Sequence, residues 1–270
     1  MTNQEPNPRV HPIRPAESDT VAVPVGGVDP EPVAAPDPEV APVHDPDEVR
    51  IAFLLFPGLT PLDLVGPAEV LARVPGAAVE YVAATLDPVP CDTGPALLPT
   101  TTLADAEAPD VLVVPGGPGA FDAMLDRTLL DWVRRAAERA TWVTSVCTGA
   151  FVLGAAGLLA GKRATTHWAS KPMLADLGAD PVDERVVDDG AVVTAAGVSA
   201  GIDMALWLAA ELAGTPAAER IQLQIEYDPQ PPFDAGSALR ADTAVVARAR
   251  AAAEESRGAR VARAAAAMIR

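Results

Sequence analysis

From residue 49 onward the chain alternates short apolar runs with longer stretches whose apolar residues recur at helical spacing. VRIAFLLF has strand length, PGL is a turn, and TPLDLVGPAEVLARV has the three-to-four-residue period of a helix. VEYVAAT predicts a second strand. CDTGPALLPTTTLADA, rich in turn residues around short extended pieces, predicts a hairpin excursion. VLVVPGG is a β-branched run ending in glycines, LLDWVRRAAERA an amphipathic helix, and TWVTSV another short buried strand that leads into the helical TGAFVLGAAGLLAG. Beyond it the pattern predicts a helix over 170–177, two short strands, RVVDD and AVVTA, joined across Gly190, and a long helix over 199–212. ERIQLQIEYD is expected to continue as helix, and PQPPFDAGS to form a rigid loop. Each crossover helix must pack back on the sheet, so alternating strands and helices imply mainly parallel strands covered on both faces. The fold class is α/β, a doubly wound three-layer sandwich. Such sheets bind ligands at the carboxyl ends of their strands, where both PGG at 115–117 and Cys147 fall.

The flanks obey different rules. Residues 1–48 alternate Pro, Asp, Glu, Val and Ala with no helical or strand period, and are expected to form a disordered acidic arm. Such a segment buries too little apolar surface to offset the entropy of ordering it. Removing it is expected to leave turnover and the melting temperature nearly unchanged; a large loss of stability in the truncated protein would show that the arm docks on the domain. Residues 49–240 form the α/β domain, and 241–270 an Ala/Arg-rich helical tail.

Charge narrows the partners. The chain of 270 residues has a formal net charge of −17, of which the first fifty residues contribute −7 through ten acids against three bases. A field of that sign repels phosphate backbones and anionic lipid surfaces, so a small molecule is expected as ligand, with no nucleic acid and no membrane as partner. No stretch reaches the roughly 18 apolar residues of a spanning helix, and the N-terminus lacks the basic start and apolar run of an export signal. Two cysteines make no secreted disulfide framework, and a reducing cytoplasm is expected.

The candidate chemistry centres on Cys147. It follows a strand directly and opens a helix, the setting of a nucleophile elbow, and the helix terminus is expected to lower its thiol pKa. The alternative is a buried structural cysteine. VVPGGPGA lacks the spacing of a phosphate loop. Gly116 and Gly117 are instead expected to offer backbone amides as an oxyanion-type hole beside Cys147. Asp63, set among Leu62, Leu64 and Val65, is expected to have a raised pKa and to serve as a proton donor or shuttle, unless it merely supplies charge to a first helical turn. His167, in RATTHW, is a rim or structural residue or an acid/base partner. Cys91 reads as an incidental loop thiol, and no cluster has metal-ligand spacing.

Taken together, IAFLLFPGLTPLDLVGPAEVL, VLVVPGGPGA, VTSVCTGAFVLGAAGLLAGKRATTHW, PVDERVV, TAAGVSAGIDMALWLAAEL and IQLQIEYDPQPPFDAGS resemble the ThiJ/PfpI superfamily of class I glutamine amidotransferase-like proteins, and within it the isonitrile hydratase branch. The resemblance spans about residues 49–240. It implies a flavodoxin-like domain, a homodimer, no cofactor, and hydration of an isonitrile to an N-substituted formamide, with Cys147 as nucleophile, Thr148 beside it and Asp63 as the acid. The peptidase-like branch carries a histidine directly after its cysteine, where this chain has Thr148, which disfavours proteolysis. Related regulators continue into helix-turn-helix motifs; this sequence ends at Arg270. Two other readings stay open: a cysteine enzyme acting on glyoxals, and a non-catalytic redox or stress sensor whose Cys147 is oxidised.

Overall fold

The computed structural model describes residues 48–268, so all but the last residue of the predicted acidic arm lies outside the described residues. Seven strands form the central sheet: β1 (Val49–Leu54), β2 (Ala77–Ala83), β3 (Thr101–Thr102), β4 (Val111–Val114), β5 (Trp142–Val146), β6 (Val186–Asp189) and β7 (Val192–Ala195), in the order β6-β7-β5-β4-β1-β2-β3. All neighbours are parallel except β6 and β7, which form the antiparallel pair joined across Gly190. The near-continuous apolar character of β1, β4 and β5 follows from this topology, because a parallel strand is covered on both faces. Ile51, Phe53, Leu54, Leu112 and Val146 are almost fully buried.

On one face of the sheet, helices α1 (Pro61–Leu71) and α6 (Thr215–Gln224) both pack against α5 (Ala200–Ala213). The short α2 (Ala120–Ala123), α3 (Arg127–Ala137), α4 (Gly149–Ala155) and α7 (Thr243–Met268) gather on the other. The layers are those of a doubly wound flavodoxin-like sandwich. The hairpin excursion is present as Val89–Pro90 paired antiparallel with Ala96–Leu97, while β3 rejoins the main sheet beside β2.

Several boundaries differ from the pattern-based expectation. The helix after Cys147 stops at Ala155 and gives way to turns, with Gly157 and Gly161 at positive φ. The predicted helix at 170–177 is a 3₁₀ helix, Lys171–Leu177, which opens with a proline and ends at Gly178 in the left-handed region. α6 ends at Gln224 rather than running through IEYD, because Glu226 adopts φ 49°. The C-terminal helix does not stand apart: Ala253, Val261 and Ala264 are buried, and α7 packs on α2, α4 and the 3₁₀ helix.

Candidate active site

The register of the sheet assembles the site. Val114 lies opposite Ser145, and Ala195 opposite Val146, so the segments that follow β4, β5 and β7 leave the carboxyl edge side by side. They carry Gly116 and Gly117, Cys147, and Gly197 with Val198 respectively. β1, on the far side of β4, feeds the loop that enters α1 and delivers Asp63.

Cys147 has φ 56°, one of two non-glycine residues with positive φ among those described. A non-glycine residue held there costs on the order of 1–3 kcal/mol, which the surroundings must over-determine. Its N–H donates to the carbonyls of Ala195 and Ala196 at 3.0 and 2.9 Å, and its carbonyl accepts from Thr166 Oγ1 at 2.5 Å. Gly149, the first residue of α4, lets the helix close on β4, since a Cβ there would stand 2.2 Å from the Val114 carbonyl oxygen.

Asp63 is fully buried in the first turn of α1. Its Oδ2 accepts from the Gly116 N–H at 3.0 Å, while Oδ1 closes no good hydrogen bond. The Cys147 thiol lies against the same carboxyl and interacts with it as a side-chain partner without reaching good hydrogen-bond geometry. Burial pushes Asp63 up to about 7, against the lowering by the thiol and by the Gly116 N–H, with a small further rise from the nearby Asp92 charge. Asp92 is fixed in turn by Thr60 Oγ1, which donates to it at 2.7 Å.

The expectation of an acidified thiol is corrected. Burial, and then the Asp63 charge, push Cys147 up to about 12, outweighing the backbone N–H groups of Thr148 and Val198 that face the sulfur. α4 is a seven-residue helix, too short for its terminus to offset a thiol only 5 % exposed. At neutral pH the proton therefore rests on sulfur, beside a carboxyl that is itself about half ionised.

The expected oxyanion role of Gly116 and Gly117 is corrected as well. The Gly116 N–H is engaged by Asp63, and the Gly117 N–H donates to Thr148 Oγ1 at 2.8 Å. The Thr148 hydroxyl donates back to the Gly117 carbonyl at 2.9 Å, so it locks two loops together and is not free to shuttle protons. What Gly116 provides is room: a Cβ there would come within 2.4 Å of the Thr148 nitrogen and 2.8 Å of Asp63 Oδ2. The amides that do face the Cys147 sulfur are those of Thr148 and Val198. Thr148→Val is expected to lower unfolding stability by about 1–3 kcal/mol, since it leaves the buried Gly117 N–H unpaired while the Gly117 carbonyl still accepts from the Ala120 N–H. Thr148→Ser should restore it; chemical denaturation of the three proteins reads the difference.

His167 stands at the rim. Its Nδ1 accepts from the Ala169 N–H at 3.3 Å, and its ring lies beside Gly197; burial, then the Arg257 charge, lower its pKa. Cys91 is a free thiol in a half-buried loop, raised by burial and by Asp92, and Cys147 is free as well. Among the described residues no group of three His, Cys, Asp or Glu side chains could hold a metal ion, and no helix is long and apolar enough to cross a membrane. Sequence reasoning missed Thr166 and Val198. The glycine in TAAGVSAG just past β7, in the same position relative to its strand as PGG after β4, was the available signal for Val198.

Comparison with known proteins places this geometry. The chain is 54% identical over 202 residues to the isonitrile hydratase of Pseudomonas putida, covering 75% of this chain and 89% of that one. Its structure matches a ThiJ/PfpI family protein from Pseudomonas syringae with a TM-score of 0.78 at 40% identity, over 84% of this chain and 98% of the other. It also matches DJ-1beta of Drosophila melanogaster with a TM-score of 0.61 at 27% identity, over 66% and 98%. The sequence pattern of the DJ-1/PfpI family covers residues 49–211, from β1 through the greater part of α5. With its elbow cysteine on the carboxyl edge of a matching sheet, the chain belongs to the DJ-1/PfpI family.

Proposed function

We propose that the protein is an isonitrile hydratase, which converts R–NC and water to an N-substituted formamide without a cofactor. The observation that carries this reading is a nearly buried thiol packed against a buried carboxyl raised to about 7, in a chain 54% identical to an isonitrile hydratase. Two surface concavities, one bounded by Val65, Glu69 and Arg73 and the other by Thr85, Asp87 and Asp126, are not lined by Cys147. A thiol so enclosed suits the slim, linear end of an isonitrile better than a peptide.

As the Cys147 sulfur attacks the terminal carbon, its proton passes to the Asp63 carboxylate, and the Thr148 and Val198 amides hold the charge developing on sulfur. Asp63 returns that proton to the same carbon, leaving the thioimidate Cys–S–CH=N–R. Water adds to this carbon while Asp63 takes a proton from the water and passes it to nitrogen. The C–S bond then breaks: the hydroxyl proton returns to sulfur through Asp63 and formamide departs. The cysteine splits one hard addition into two easier ones. Incubation with an alkyl isonitrile in parallel with methylglyoxal tests the assignment. Formamide from the first supports it; lactate from the second, or no product from either, overturns it.

The same reading takes a small molecule as ligand and a reducing cytoplasm as the setting of two free thiols, and the acidic balance disfavours nucleic acid. It also expects a symmetric homodimer. Leu62 and Val65, on α1 beside Asp63, are 44% and 38% exposed, and a second copy would cover them. Sedimentation is expected to report a dimer at micromolar concentration; a monomer would count against it.

A further inference from the structure

α7 carries a guanidinium onto the segment that follows the elbow helix. Arg257 Nη1 donates to Ser170 Oγ at 2.5 Å, and its guanidinium carbon stands 5.4 Å from the centroid of the Phe121 ring. Ser170 is fully buried, and its N–H donates to the His167 carbonyl at 2.9 Å. Arg257 is thereby tied to the backbone that presents His167. The helix is held in place independently of this contact: Val261 and Ala264 are buried, Arg260 pairs with Asp122 at 3.4 Å, and Arg250 lies 5.9 Å from the Trp168 ring centroid.

On its other side His167 meets the supports of the thiol. A Cβ at Gly197 would stand 3.0 Å from His167 Cδ2 and 3.7 Å from Nε2, and the next residue, Val198, supplies an amide that faces sulfur. Thr166, immediately before His167, holds the Cys147 carbonyl. Because Nδ1 accepts from the Ala169 N–H, the neutral ring carries its proton on Nε2, the edge turned towards Gly197.

We propose that Arg257 is a positioning residue, which through Ser170 and Phe121 fixes the 167–170 segment so that His167 stands as an uncharged Nε2–H donor in the wall of the thiol site. The proposal rests on the hydratase reading for its substrate, but not for its geometry. Of the charged groups around the segment, Arg257 comes from α7 and bears on His167, Arg250 from the same helix lies over Trp168, and Lys171 on the 3₁₀ helix is paired with Asp183. Burial first and the Arg257 charge second favour the neutral ring. Replacing Arg257 removes both the tether and the charge, so the imidazole should protonate more readily and bind substrate less well.

The test compares full-length parent, Arg257→Met, Arg257→Lys and Ser170→Ala by NMR titration of the His167 ring, together with KM and kcat for an alkyl isonitrile. Arg257→Met is expected to raise the His167 pKa and to raise KM severalfold while kcat changes less. Arg257→Lys, which keeps the charge, should restore the titration more fully than KM. Ser170→Ala should raise KM with α7 still docked. The titration needs no substrate, so a parent protein that turns over no isonitrile would remove the hydratase reading and leave the positioning claim readable. An Arg257→Met protein with the parent His167 titration, or with the parent KM in an active enzyme, would overturn the proposal.

Discussion

Asp63→Asn is expected to stabilise the protein at pH 8 while slowing its turnover severely. The Asp63 carboxyl has no exposure, and its pKa is raised from 3.8 to about 7. Below about pH 4 the group is protonated in folded and unfolded chains alike, so it costs nothing. Between there and pH 7 the unfolded chain gives up this proton while the folded one keeps it, and stability falls with rising pH by about 1.4 kcal/mol per unit. Above the folded pKa the loss is complete, on the order of 4 kcal/mol. Asparagine can accept from the Gly116 N–H with almost the same shape and never ionises. The stability difference between variant and parent should therefore be near zero at pH 4 and grow to about 4 kcal/mol at pH 8, as read by denaturant melts across pH. Turnover should fall by about 10²–10⁴, the usual scale of positioned acid/base catalysis, and the parent's acid limb near pH 7 should vanish. A pH-independent stability difference would mean that Asp63 is not the buried titrating group described here.

Much of this frame was legible because it is written in local patterns. The apolar runs of β1, β4 and β5 carry the parallel sheet, and a cysteine placed directly between β5 and a glycine-initiated helix carries the elbow. Asp63 stood out as an acid among apolar neighbours. What sequence could not show is how these motifs meet. Gly116 and Asp63 are 53 residues apart, and Gly117 and Thr148 31, so nothing local reveals that both glycine amides are already engaged. The raised thiol pKa was hidden for a related reason: a helix terminus is visible in sequence, but near-complete burial beside a carboxyl is not. The docking of α7 was missed because Ala/Arg repeats give little hint of which face is covered; three small or branched residues, Ala253, Val261 and Ala264, decide it.

The backbone at Cys147 is strained as well. Glycine adopts φ 56° without the Cβ penalty, so Cys147→Gly is the change that would relieve the strain. The strained conformation sets the side chain between Asp63 and the Thr148 and Val198 amides.

The central claim is that the Cys147 sulfur forms the bond to the isonitrile carbon, and formamide production by purified Cys147→Ala, with parent and Cys91→Ala alongside, tests it most directly. Removing one buried sulfur leaves the Ala195, Ala196 and Thr166 hydrogen bonds to the residue 147 backbone in place, so the variant is expected to fold with a melting temperature close to the parent's. Without a nucleophile it should lose at least about 10³ of the rate, because the two-step path through the thioimidate is closed. Cys91→Ala should keep the parent rate. A folded Cys147→Ala protein that produces formamide as fast as the parent would contradict the mechanism.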